Sequence, residues 1–244
     1  MPRFLMKIKY DGTNYHGWQV QPNGITVQEE VQNALEDILK IRPNVTGCSR
    51  TDSGVHAKEY CFHFDADCNI SESGFINAMN TKLPQDIAAF DCKITDSDFH
   101  SRYSVKSKKY EYYFFDGETR NPFYSKYSWF VKNKLDESEL DFAAKQFIGK
   151  YDFSGFCSSG SSVTDTTREV FDAGVKRQGD LVVFYVEADG FLYNMVRIMA
   201  GTLYYVSIGK IKPDEIKSII LSKERDKAGK TAPPNGLFLS KVNY

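Results

Sequence analysis

The run from Phe4 to Tyr10 alternates as a half-buried strand does and stops at Asp11-Gly12. Thr26-Val27-Gln28-Glu29 has the capping-box spacing that opens a helix, and Val27, Val31, Ala34, Leu35, Ile38 and Leu39 follow at helical spacing. Tyr60 to Phe64 reads as a strand, Ser71 to Lys82 as a helix ending before Leu83-Pro84, and Ile87 to Lys93 as a short strand. Beyond these, Lys108 to Asp116 is strand-like and crowded with aromatic residues, and Asp136 caps a helix running through Phe147. Arg168–Lys176 and Leu181–Ala188 read as a hairpin around Gln178-Gly179-Asp180. A helix is expected from Leu192 to Val206, Pro213 opens another, and Phe238 to Val242 closes the chain as a strand.

The order of these elements predicts an α+β protein with mainly antiparallel sheets. Residues 1–104 form an N-terminal α+β half and residues 105–244 a C-terminal one, joined around a central cleft; the two share no clear internal repeat. Two polar stretches, Asp11–Gly24 and Ser154–Thr167, read as long loops, which in compact proteins are usually functional or mobile.

With 244 residues the chain can build a substantial core, and 41% hydrophobic with 26% charged residues is ordinary for a globular protein. No stretch approaches the roughly 18 apolar residues of a membrane span, and Met1–Lys7 has neither a signal-peptide run nor a cleavage site. The cysteines Cys48, Cys61, Cys68, Cys92 and Cys157 never fall in a C-x-x-C pair. They read as reduced cytosolic thiols, so a cytoplasmic location is expected and a zinc site is not. The net charge of −1 gives no hint of a nucleic-acid partner, but its distribution does. Residues 101–135 carry eight basic against three acidic side chains, whereas 52–98 carry nine acidic against three basic. Such segregation can present a basic face to phosphates, or can describe the solvated faces of unrelated elements.

Three runs could carry chemistry. Arg50-Thr51-Asp52-Ser53-Gly54-Val55-His56-Ala57 sets an acid between an arginine and a glycine, just before a strand. The acid could serve as nucleophile or general base, or the tripeptide Asp52-Ser53-Gly54 could simply turn the chain. Lys108-Lys109-Tyr110-Glu111-Tyr112-Tyr113 is a basic strand rich in tyrosines. Its aromatics could pack a sheet face, or Tyr110 could stack on a base while Lys108 and Lys109 hold phosphates. In Asp189–Gly201, Arg197 sits among Phe191, Met195, Ile198 and Met199. It requires an acidic partner if buried, for which Asp52 is a candidate, or it snorkels to solvent. There is no Walker loop, G-x-G-x-x-G, H-E-x-x-H or G-x-S-x-G, and His16, His56, His63 and His100 lack metal-ligand spacing. Surface or satisfied core positions suit these histidines better.

Taken in order, these runs resemble the tRNA pseudouridine synthase A family over nearly the whole chain. The resemblance is carried by Lys9-Tyr10-Asp11-Gly12-Thr13-Asn14-Tyr15-His16-Gly17-Trp18-Gln19, by the Arg50–Ala57 run, by Asp98-Phe99-His100-Ser101-Arg102 and by Lys109-Tyr110-Glu111-Tyr112. It continues in Phe191–Gly201 and in Thr231-Ala232-Pro233-Pro234-Asn235-Gly236-Leu237. It implies the pseudouridine synthase fold and isomerisation of uridine to pseudouridine at tRNA positions 38, 39 and 40, by a homodimer needing no cofactor or metal. It further implies Asp52 as the nucleophile or base, Tyr110 as the active-site tyrosine, Arg197 as the partner of Asp52 and Leu237 as the apolar residue packing the base. Arg50 matches the arginine that helps displace the target base. Ser49 replaces the family's usual glycine, a concern if that position needs positive φ. Two other readings stay open on the same scaffold: a non-catalytic tRNA-binding protein, or a synthase with different target uridines. A glycoside hydrolase would need a second acid, which no site motif supplies.

Overall fold

A computed structural model of the chain describes residues 1–160 and 163–244. In chain order its main elements are β1 (Arg3–Tyr10), α1 (Val27–Leu39), β2 (Thr46–Gly47), β3 (His56–Asp65), α2 (Glu72–Lys82) and β4 (Ile87–Thr95). They are followed by β5 (Ser107–Phe115), β6 (Trp129–Phe130), α3 (Glu137–Lys145), β7 (Gly149–Asp152), β8 (Thr167–Gln178) and β9 (Leu181–Ala188). The last are α4 (Met195–Ser207), α5 (Ile216–Ser222) and β10 (Leu237–Asn243). Two compact units result: Met1–Lys106 together with Leu239–Tyr244, and Ser107–Phe238. The architecture is α+β, and the paired strands run mainly antiparallel.

In the first unit the strand order is β4-β1-β3-β10, with β2 on β3. Register sets Phe4 opposite Phe64, Met6 opposite Phe62 and Ile8 opposite Tyr60, so large side chains line one face. The Phe75 ring of α2 closes on that face, 4.7 Å from Phe4 and 5.4 Å from Phe64. Each such aromatic contributes about 1.5–3 kcal/mol through burial. The other face of β3 is covered as well, which is why Tyr60–Phe64 reads as a continuous run rather than an alternating one. There His63 is buried, and its Nδ1 accepts from the Ser101 amide at 3.1 Å. Burial pushes the His63 imidazole down to about 4, with Arg3 and His100 acting in the same direction, so it stays neutral at pH 7. As expected, Thr26 caps α1 through its side-chain oxygen, and Ser71, with which the expected second helix begins, caps α2 in the same way.

In the second unit the order is β5-β9-β8-β7, with β6 parallel to β5. The hairpin of β8 and β9 turns at Gly179-Asp180 as the sequence suggests. Tyr110 to Phe115 are all buried, so β5 is an interior strand rather than a half-exposed one. Its end is fixed by Asp116, whose carboxylate takes two bonds of 3.0 Å from the Arg177 guanidinium and one from the Leu135 amide. Two helix boundaries differ from expectation. The α3 helix stops at Lys145, and Phe147 is buried beyond it. The α4 helix begins at Met195 rather than Leu192, because Asn194 takes the left-handed conformation at φ 62°. The short strands β2, β6 and β7 carry too little periodicity to be read in sequence.

The polar stretch Asp11–Gly24 is more ordered than a plain loop, with a 3-10 turn at Gly12–Asn14 and a bridge from Gln21 to Gly24. In the second stretch, Ser154–Phe156 is a 3-10 turn and Thr167 begins β8, while Ser161 and Ser162 lie outside the described residues. Among the described residues no helix is long and apolar enough to cross a membrane.

Candidate active site

Asp52 opens a four-residue turn. The Val55 amide donates to the Asp52 carbonyl at 3.2 Å, and Gly54 supplies the positive φ, 75°, at the third position. The turn and the acid are therefore one device. Ser49 has no positive φ, so its replacement of the family's glycine leaves the backbone unstrained. Its carbonyl instead accepts from the buried Tyr60 hydroxyl. Asp52 is half-buried and Arg50 is exposed.

Tyr10 and the Asp11–Gly24 segment that follows it clamp this turn from several directions. Thr51 is held at both ends: its hydroxyl lies 2.8 Å from Tyr10 Oη, and its carbonyl accepts from the Trp18 amide at 3.2 Å. The Gly54 amide and the Ser53 hydroxyl both donate to the Tyr15 carbonyl at 3.2 Å. Tyr15 is anchored in turn by its hydroxyl, 2.5 Å from Asp86 Oδ1, and burial together with that bond raises its pKa. The Trp18 ring stacks 4.1 Å from Tyr60. Gly17, at φ 84°, passes so close that a Cβ there would lie 2.3 Å from the Thr51 carbonyl oxygen. The first two sequence motifs thus form a single structure. Within it His56 is buried, its Nδ1 accepting from the Gly12 amide at 3.0 Å, a satisfied core histidine as the sequence suggests.

The second unit carries the other predicted residues. Arg197 stands in the first turn of α4, half-buried. Its Nε donates to the Ala232 carbonyl and its Nη1 to Asn194 Oδ1, each at 2.8 Å. The Ala232 amide returns a 3.0 Å bond to the Arg197 carbonyl. Glycines make this approach possible: a Cβ on Gly201 would sit 1.7 Å from the Lys230 carbonyl oxygen. The tail segment is also tied to β5, since Tyr112 Oη donates to the Pro233 carbonyl at 2.8 Å. Burial raises the Tyr112 pKa, and the nearby Arg197 charge opposes it only in part.

Tyr110, on β5, is buried, with the Phe191 ring edge-on at 5.0 Å. Leu237 begins β10 directly after a 3-10 turn at Pro234–Gly236 and is buried. Lys108 and Lys109 precede Tyr110 and are half-buried; Lys109 Nζ lies 4.7 Å from the centre of the Tyr185 ring. The supporting residues Tyr15, Trp18, Tyr112 and Asn194 were not singled out in the sequence. Only their places inside the recurring blocks marked them. Among the described residues no group of three His, Cys, Asp or Glu side chains could hold a metal ion.

Residues 6–104 and 143–244 match the family model described as tRNA pseudouridine synthase. The chain belongs to the tRNA pseudouridine synthase family. A full-length relative, tRNA pseudouridine synthase A of Thermoanaerobacter sp. (strain X514), is 44% identical over 244 residues, covering 100% of both chains. The protein named tRNA pseudouridine synthase A 2 of Clostridium perfringens (strain 13 / Type A) is 43% identical over 244 residues, again with 100% coverage of both. A chain of the solved Cbf5-Nop10-Gar1 complex aligns with 96% of this chain and 57% of its own length at 13% identity, with a TM-score of 0.40. That likeness is too distant to bear on the site. Members of the tRNA pseudouridine synthase family are isomerases, and the fold class expected for them is the α+β architecture found here. The family match includes Arg50, Asp52, Arg197 and Leu237, while Lys108, Lys109 and Tyr110 fall between its two segments.

Proposed function

We propose that this synthase converts uridine to pseudouridine at positions 38, 39 and 40 of tRNA, with Asp52 as the reacting acid. The observation that carries this reading is the clamped turn: an aspartate placed on a turn whose every neighbour is fixed by Tyr10, Tyr15, Gly17 and Trp18. A turn needed only for chain reversal has no use for so much positioning, whereas a nucleophile or base does.

The reaction breaks the bond from ribose C1′ to uracil N1 and forms one from C1′ to C5. C5 gives up its proton, N1 gains one, and no electrons enter or leave. Asp52 in its ionised form either attacks C1′ or removes the 2′ proton, and Arg197, the partner that the family resemblance implies for it, would favour that ionised form. The target nucleotide must leave its stack, at about a few kcal/mol. Arg50, exposed at the head of the turn, fills the vacated space. Tyr110 stacks beneath the uracil and handles the C5 proton, Leu237 packs the base, and Lys106, Lys108 and Lys109 hold phosphates. The protein works as a homodimer in the cytoplasm with tRNA lying across both subunits, and requires neither cofactor nor metal. Asp52→Asn should abolish pseudouridine formation, measured by mapping positions 38–40 in unmodified tRNA, while tRNA affinity stays within a few-fold. Full turnover by that variant would refute the assignment.

A further inference from the structure

The second unit holds a feature to which neither the isomerisation nor the six sequence blocks give a use. Between β5 and β6 the chain forms the turn Asn121-Pro122-Phe123-Tyr124-Ser125-Lys126-Tyr127-Ser128, and at its tip Phe123 is 87% exposed. A single exposed apolar side chain is unremarkable by itself. This one, however, sits on backbone that cannot fold it away.

The Phe123 amide donates to Asn121 Oδ1 at 3.0 Å and the Tyr124 amide to the Asn121 carbonyl at 3.1 Å. The Tyr127 amide donates to the Tyr124 carbonyl at 2.9 Å, and Ser128 Oγ to the same carbonyl at 2.9 Å. The Tyr124 ring packs 5.2 Å from Phe115, which anchors the turn to the end of β5. From the tail segment Asn235 reaches across, its Nδ2 donating to the Ser125 carbonyl at 2.9 Å and to the Ser128 carbonyl at 2.8 Å. Asn235 lies two residues before Leu237, so the turn is fixed to the same piece of backbone that positions a proposed substrate contact. In sequence the exposed Arg120 and Lys126 stand on either side of Phe123, and exposed Lys132 and Lys134 follow; Glu118 is the one exposed acid between residues 117 and 134.

An aromatic face in a basic stretch suits a nucleobase bounded by phosphates, and a fixed backbone lowers the entropic cost of presenting it. We propose that Phe123 is a base-stacking contact for tRNA outside the reacting site, with Arg120 and Lys126 on adjoining phosphates. The proposal rests on the substrate being tRNA and names the part of this unit that grips it. A stacking residue of this kind sets affinity and leaves the bond exchange alone.

The test uses the full-length protein, an unmodified tRNA transcript, and the variants Phe123→Ala, Phe123→Leu and Phe123→Trp. Removing an aromatic that stacks on a base typically weakens binding by about five- to a hundredfold. Phe123→Ala and Phe123→Leu should therefore raise Kd by about tenfold, and Phe123→Trp should restore it. The single-turnover rate at saturating tRNA and the sedimentation coefficient should match the parent protein in all three. Three results would overturn the proposal: unchanged affinity in Phe123→Ala, full affinity in Phe123→Leu, or a changed sedimentation coefficient, which would assign the ring to a contact between copies of the chain. Binding and turnover are read separately. An active Asp52→Asn would therefore sink the catalytic reading without touching this one, and normal binding by Phe123→Ala would do the reverse.

Discussion

Replacing Gly17 by alanine should disable catalysis without contacting the substrate. Gly17 has φ 84°, where an L side chain costs about 1–2 kcal/mol. The added Cβ would lie 2.3 Å from the Thr51 carbonyl oxygen and 3.1 Å from the Asp52 carbonyl carbon. Real Cβ contacts essentially never fall below 3.0 Å, so the backbone that carries Asp52 has to retreat. The same carbonyl accepts the Trp18 amide bond, which stretches or breaks as it moves. A misplacement approaching 1 Å at a reacting group can cost about 10²-fold in rate, equivalent to about 2.7 kcal/mol of lost transition-state stabilisation. Stability should fall by about 1–3 kcal/mol, leaving a folded protein at 25 °C. Release of tritium from tRNA labelled at uracil C5 measures the reaction directly, because C5 loses its hydrogen as it bonds to C1′. Gly209→Ala is the control: it imposes a similar φ of 70° with nothing within 4 Å of the new methyl group. It should lose some stability and no turnover. A folded Gly17→Ala protein working within twofold of the parent rate would refute the view that this turn positions the reacting acid.

Two further outcomes follow from the second unit. Asp116 is buried, which alone would raise its pKa, but the Arg177 guanidinium, the Leu135 amide and Lys134 more than reverse this and hold it at about 2. Its folded value is therefore depressed, so its contribution is fully present above the unfolded value of about 4 and is lost as pH falls toward 2. Asp116→Asn should destabilise the protein by about 3 kcal/mol at pH 7 in urea unfolding, a gap that narrows only below pH 4; a pH-independent gap would contradict the charge pairing. Arg197→Lys keeps the charge but cannot make both the Ala232 and the Asn194 bonds at 2.8 Å. Its turnover in the tritium assay should drop by at least about tenfold with little change in tRNA affinity, and parent-like turnover would show that the fork geometry is dispensable.

Much of the scaffold was legible because local signals and tertiary demands agree. Thr26 and Asp136 cap the helices their side chains announce, and the β8–β9 hairpin turns where Gly179 permits it. What could not be read depended on distant partners. The start of α4 is displaced because Asn194 turns left-handed and offers its side chain to Arg197, an arrangement that needs the tail segment in place. Likewise, the burial of β3 on both faces comes from Ser101 and Tyr244, tens of residues or more away. Neither reading of Arg197 from the sequence includes its bond to the Ala232 carbonyl. Backbone acceptors leave no trace in composition.

The place of β10 has a consequence for how the first unit is assembled. The order β4-β1-β3-β10 means that the first unit's sheet is completed by a strand that follows the whole second unit along the chain. Until β10 docks, the part of the β3 edge beyond β2 is open, the Lys106 amide lacks the Asn243 carbonyl, Glu59 lacks the Val242 amide, and Ser101 lacks the Tyr244 hydroxyl. The clamped turn that carries Asp52 leads directly into that strand. The turn that carries Asp52 is therefore braced on a complete sheet only once the chain has returned from the second unit.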